Sequence, residues 1–154
     1  MKERILVISQ YYYPENMPIN FVTSILSKKY EIDVVTGKPN YPEGRFFEGH
    51  SFFSHVKDSF EGIDVYRIPI FPRGYRFRSL GLFFNYISFV IFGCLLAPFF
   101  IRKKKYDSIL VYAVSPVTQA IPAILIGKLF KVPVILWVQD LWPQSLMSSA
   151  YRIP

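Results

Sequence analysis

Cysteine, histidine and acidic residues are scarce in this chain. Of 154 residues one is cysteine, Cys94, so no internal disulfide can form and a secreted, disulfide-stapled domain is excluded. The two histidines, His50 and His55, together with Cys94 do not by themselves build a zinc site. They read as ordinary surface or sheet residues, and no metal is expected. Charged residues reach 19% against a usual share of about 25%. Several signatures are missing: no G-x-S-x-G elbow, no H-E-x-x-H and no G-x-G-x-x-G after the first apolar run. Gly44 to Ser51 has the glycine spacing of a phosphate loop, but His50 stands where the lysine belongs, and no strand-to-helix junction surrounds it. No secretory leader is expected, because Met1–Arg4 leads straight into a short strand-like run.

What is present is apolar and aromatic. Hydrophobic residues make up 51% and aromatics 18%, with 15 Phe and 11 Tyr. Mean hydropathy is +0.24. Global disorder is therefore excluded, and the length suits one domain with a real core.

The net charge of +7 is one local feature. From Arg67 to Lys105 there are eight cations and no acid: Arg67, Arg73, Arg76, Arg78, Arg102, Lys103, Lys104 and Lys105. The rest of the chain sums to −1. Between these cations Leu82–Ile101 runs for 20 residues without a formal charge. As a helix it would span about 30 Å, the thickness of a bilayer core. Three readings stay open. Asn85, Ser88, Gly93 and Pro98 interrupt a spanning helix, and cations at both ends leave its orientation unset. A helix buried in a soluble core needs only an apolar stripe. A monotopic helix would put Phe83, Phe84, Phe99 and Phe100 in the lipid boundary. Arg73, Arg76, Arg78, Arg102, Lys103, Lys104 and Lys105 would then meet headgroups, at roughly 1 kcal/mol per cation.

Strand and helix patterns alternate along the chain. Ile5–Ser9, Ile32–Thr36, Ser108–Tyr112 and Val132–Gln139 are short apolar runs of the kind expected in a parallel sheet covered on both faces. Ile19–Lys29 has helical spacing and ends in lysines. Val56–Phe60 and Ile63–Ile70 read as two strands joined at Glu61-Gly62. Ser115-Pro116 reads as an N-cap followed by proline at the first helical position, with the helix running to about Lys131. The pattern predicts an α/β fold, a Rossmann-like doubly wound parallel sheet. Ligands of such sheets bind beyond the carboxyl ends of the strands. Gln10–Asn16, Ala113–Pro116 and Gln139–Trp142 should converge there, with Lys38–Arg45 folding over them.

Five segments in register carry a family resemblance: Tyr13–Asn16, Thr36–Gly44, Ile68 to Gly74 with its two prolines, Ser115-Pro116 and Trp137–Pro143. From about Ile5 to Leu146 the chain resembles the N-terminal domain of WbuB-like bacterial glycosyltransferases of glycosyltransferase family 4. The resemblance implies the N-terminal, acceptor-binding half of a GT-B fold. The nucleotide-sugar would be held mainly by a C-terminal domain that this chain lacks, and the isolated chain would be inactive. It implies a retaining enzyme without a cofactor or metal, acting on saccharide acceptors, of the polyprenyl-diphosphate-linked kind, in O-antigen or capsule assembly. Its place would be the inner face of the cytoplasmic membrane, peripheral or monotopic. Where many relatives carry His-Asp, this chain has Gln139-Asp140. Gln139 cannot be a general base and is assigned hydrogen bonding. Asp140 is assigned the acceptor hydroxyl, its alternative being a cap on the next helix. Glu15 and Asn16 stand where relatives carry a glycine-rich loop, and either could instead cap the helix near Pro18. Asn40, Tyr41, Arg45 and Ser115 complete the substrate-facing set, Arg45 being the candidate for a pyrophosphate. Trp142 is expected in the core. A non-catalytic membrane-surface module is the rival reading. Arg73–Arg78 mixes cations and aromatics, but no nucleic-acid motif accompanies it, and no nucleic acid is expected.

Overall fold

The computed structural model describes residues 2–74 and 78–140, and of Arg78 the backbone. Arg76, the Arg78 side chain, Trp142 and the segment following Asp140 lie outside the described residues. Ten elements follow one another: β1 (Arg4–Ile8), α1 (Pro18–Leu26), β2 (Glu31–Gly37), β3 (Lys57–Phe60), β4 (Ile63–Ile68), α2 (Arg78–Ile101), β5 (Ser108–Ala113), a single 3-10 turn (Val117–Gln119), α3 (Ala120–Phe130) and β6 (Val134–Val138).

The strands form one sheet in the order β3-β4-β2-β1-β5-β6. All pairs are parallel except β3 with β4, whose hairpin turns at Glu61 and Gly62, both at positive φ. That is the backbone a two-residue hairpin turn needs. Strand order reverses between β1 and β5, so a crevice is expected at their carboxyl ends. The sheet is thus α/β and Rossmann-like, mostly parallel with an antiparallel edge.

Alternation along β1 sorts the core. Leu6 and Ile8 pack with Val35, Ile68, Phe89, Ala97, Val111, Ala123 and Ile126 under α2 and α3. Val7 packs with Ile19, Val34, Val65 and Tyr112 on the α1 side. Gly93 permits the close crossing of α2 and α3, since a Cβ there would lie 2.7 Å from the Pro122 ring.

Two local expectations need correction. Ser115 does not cap α3: Pro116 is extended, the 3-10 turn intervenes, and α3 starts at Ala120. β6 is not covered on both faces: it is an edge strand with Ile135, Leu136, Trp137 and Val138 all exposed.

The long apolar run is helix α2, and its polarity is partly inverted. Asn85 and Ser88 are buried, whereas Phe83, Ile87, Ile91, Leu95 and Phe99, spaced four apart, are exposed, Leu95 by 58% and Phe99 by 63%. Asn85 Nδ2 donates to the Phe71 carbonyl (2.6 Å), and Ser88 Oγ accepts from the Phe71 amide (3.0 Å). Among the described residues α2 is the helix long and apolar enough to cross a membrane. Its inner face, through Phe89, Ala97 and Ile101, belongs to the sheet's core, so it is neither wholly buried nor wholly free.

Three of the expected lipid contacts are engaged within the protein. Lys104 Nζ is held by Asp33 Oδ1 (2.7 Å) and Asp64 Oδ2 (2.9 Å) at the amino ends of the strands. Burial alone would lower its pKa, but the two carboxylates raise it. Phe100 turns inward and stacks on Tyr66. Arg73 lies over the rings of Tyr41 (5.1 Å) and Tyr11 (5.6 Å). Arg67, counted with the basic stretch, is buried and forks onto Asp58 Oδ2. Arg102, Lys103 and Lys105 are exposed.

Candidate functional site

The loops at the carboxyl ends of β1, β2, β4 and β5 meet on a buried polar network. After β1, Gln10 donates its amide N–H to Gln119 Oε1 (3.1 Å) and its side-chain Nε2 to Asn85 Oδ1 (2.7 Å). Tyr11 donates its hydroxyl to the same Asn85 oxygen (2.9 Å). The Gln10 carbonyl accepts from Thr36 Oγ1 and from the Gly37 amide, which ties β1 to β2. The buried side chains of Gln10, Tyr11 and Asn85 thus satisfy one another, as burial demands.

Glu15 is the anchor of the second loop. Its carboxylate accepts the backbone N–H of Asn40 (2.8 Å), Tyr41 (2.7 Å) and Tyr12 (3.1 Å). It is buried, with its pKa pushed up to about 7 by desolvation, which outweighs those three donors and the Arg67 charge. Neither Glu15 nor Asn16 caps α1. The N-cap is Met17, which makes no side-chain cap bond, and Pro18 begins the helix. Asn16 is exposed.

Asn40 is buried and structural in its bonding: Oδ1 accepts from the Arg73 amide (3.2 Å) and Asn85 Nδ2 (3.3 Å), and Nδ2 donates to the Lys38 carbonyl. Tyr41 is half-buried between Tyr11 and Arg73. Beside it lies a hollow of about 550 Å³ lined by Tyr41, Pro42, Glu43, Gly44, Arg73, Gly74 and Leu82. Its rim is closed by two glycines in backbone contact. Gly74 donates to the Gly44 carbonyl (2.8 Å), and Gly44 sits at φ 75° where a Cβ would lie 2.7 Å from the Gly74 nitrogen. Arg45 is exposed on the same loop.

A second hollow, about 340 Å³, opens past β5 and β6. Ala113, Val114, Ser115, Pro116, Val117, Val138 and Asp140 line it. Ser115 and Asp140 are thus brought together, and Gln139 is exposed with its amide donating to the Ala113 carbonyl (2.9 Å). Glu15 shares the same sheet edge but not this hollow. Asp140 is exposed, and its charge joins burial in raising the Tyr112 hydroxyl. A larger hollow, about 580 Å³, lies at the opposite, amino-terminal edge. Its charged lining, Arg4 with Glu31 and Lys104 with Asp33 and Asp64, is internally paired, and parallel sheets seat ligands at the other edge.

Sequence reasoning missed the residues that hold this edge together: Gln10, Gln119, Lys38, Arg67 and Asn85. Lys38 Nζ is buried and donates to the carbonyls of Ser54 (2.9 Å) and His55. Desolvation, with Arg67 nearby, pushes its pKa down to about 8. Asn85 and Ser88 carried the one usable signal, polar side chains inside an apolar helix. His50, His55 and Asp58 also come together, with burial and Arg67 pushing His50 down to about 4.

The fold and the two hollows are the ground for any functional reading, since no protein-family model matches the chain and no curated protein matches it closely.

Proposed function

We propose that this chain is the acceptor-binding half of a retaining glycosyltransferase of the GT-B type. The reaction breaks the bond between the sugar's anomeric carbon and the nucleotide phosphate. It forms a bond from that carbon to an acceptor hydroxyl, whose proton is released. The acceptor is a saccharide carried on a polyprenyl-diphosphate-like lipid at the cytoplasmic membrane surface, in surface-polysaccharide assembly. A second domain holds the nucleotide-sugar, and no cofactor or metal takes part in the transfer.

The observation that carries this reading is the hollow shared by Ser115 and Asp140 at the carboxyl ends of β5 and β6. An exposed carboxylate there can orient an acceptor hydroxyl, and Gln139 can donate a hydrogen bond beside it. Tyr41 and Arg73 offer a stacked aromatic and cationic wall to the sugar or its phosphate at the neighbouring hollow, with Arg45 on the same loop. Asn16 lies outside both linings. The exposed stripe of α2 suits a lipid-borne acceptor. Each of its large side chains has roughly 1 kcal/mol to gain from leaving water. Arg102, Lys103 and Lys105, with Arg76 and Arg78, would lie against anionic headgroups.

The test is turnover by the full-length protein against a panel of nucleotide-sugars and lipid-linked acceptors. Transfer that the Asp140→Asn variant loses supports the reading. Transfer by the 154-residue chain alone would overturn the division of labour. The same stripe on α2 favours a second reading, a membrane-surface module without catalysis. Liposome binding by a full-length protein that turns over none of the panel would select it.

A further inference from the structure

We propose that His50, His55 and Asp58 form a binding site for one imidazole-preferring divalent cation of the Zn²⁺ class. The site stands apart from the sugar-transfer reading and does not depend on it. One donor atom from each of the three side chains lies within 4.8 Å of the other two. The imidazoles face each other at 5.1 Å between centroids, tilted by 48°. His50 Nδ1 is buried without a hydrogen-bond partner. His55 Nε2 lies 4.0 Å from Asp58 Oδ2.

A tetrahedral zinc with ligands at about 2.1 Å holds its donors about 3.4 Å apart. Closing the cluster to that spacing asks for about 1 Å of movement. His55 is exposed and lies in the loop before β3, where a side-chain turn can supply it. Asp58 is already held in place through both carboxylate oxygens. Arg67 Nε (3.0 Å) and Nη2 (2.9 Å) hold Oδ2, and the Ser59 amide holds Oδ1 (2.8 Å). An outer partner that fixes a ligating carboxylate is a regular part of metal sites. Lys38 fixes the loop through the Ser54 and His55 carbonyls.

The charges of Arg67 and Lys38 face the cluster and set its selectivity. A hard ion such as Mg²⁺ would gain one carboxylate and little else against two cations. An ion that favours imidazole gains two nitrogen donors as well. The exposed side of His55 leaves a position for water. Bound metal would clip the loop from Lys38 to Val56 onto β3.

The experiment is calorimetric titration of the protein, free of any purification tag, with ZnCl₂ and in parallel with MgCl₂. One equivalent of Zn²⁺ should bind, with Mg²⁺ silent. His50→Ala and His55→Ala should each weaken Zn²⁺ at least about tenfold, since loss of even an outer partner of a ligand costs that much. Cys94→Ser should leave it unchanged. Co²⁺ in place of Zn²⁺ should give the visible bands of a tetrahedral site. If His50→Ala fails to fold, the exposed His55→Gln carries the same test. Absence of Zn²⁺ binding, or undiminished binding in the histidine variants, would overturn the proposal.

Discussion

Glu15 concentrates the residue-scale physics of this edge. Three amide donors favour its charged form, yet its removal from water outweighs them and lifts its pKa from 4.5 to about 7. A carboxyl whose pKa is higher in the folded than in the unfolded chain stabilises the fold at low pH. That contribution is complete below about pH 4.5 and is lost as pH rises to about 7, up to about 3 kcal/mol. Melting temperature should therefore fall between pH 5 and pH 7, and Glu15→Gln, a neutral isostere, should flatten that slope. A variant that melts with the same pH dependence would refute the assignment. Asp140 is the opposite case, an exposed carboxylate. If the sugar-transfer proposal holds, Asp140→Asn should cut turnover by about 100-fold or more while the melting temperature hardly moves. A large melting shift with retained turnover would make it a helix cap. The sequence located both carboxylates at the carboxyl edge of the sheet, where the structure has them. It could not tell that Glu15 was turned inward, because its partners Asn40 and Tyr41 come from a loop after another strand.

At the scale of elements, α2 is the informative helix. Its outward row of Phe83, Ile87, Ile91, Leu95 and Phe99 contributes little to folding, so Ile91→Ser, Leu95→Ser and Phe99→Ser together should cost little stability. The same triple variant should lose liposome flotation, and unchanged flotation would remove the row from the contact surface. Gly93→Val should behave in reverse, overpacking Pro122 at a cost of about 1–3 kcal/mol in chemical denaturation. The flanking cations divide likewise. Reversing Arg102, Lys103 and Lys105 to Glu should release the protein from anionic vesicles. Lys104→Ala should instead destabilise the fold by about 1–2 kcal/mol, because it removes the cation that Asp33 and Asp64 share and leaves them the Tyr106 hydroxyl and Lys57. The apolar run was plain in the sequence. Which of its residues look outward was not, because Asn85 and Ser88 are fixed by Phe71, Gln10 and Asn40, up to 75 positions away.

For the whole molecule, the strands β1, β2 and β5 were legible as short apolar runs, since a parallel strand buried on both faces needs little else. The hairpin at Glu61-Gly62 was legible from turn chemistry. The exposure of β6 was not, because an edge strand reads the same as an inner one. The two hollows and the α2 stripe lie on one molecule, and the exposed Arg102, Lys103 and Lys105 follow directly on α2. On the sugar-transfer proposal, transfer should rise with the anionic lipid content of the vesicles and fall with salt, in step with binding. Transfer indifferent to both would separate chemistry from the bilayer.

A cylinder greasy on nearly every side has no natural roll angle, since apolar contact rewards many orientations alike. Asn85 supplies one. It joins Gln10, Tyr11, Asn40 and the Phe71 carbonyl in a single knot. Slipping the helix by one residue would turn it about 100° and untie every strand of that knot. One amide side chain thus helps to decide which flank of the helix faces its own sheet and which faces outward.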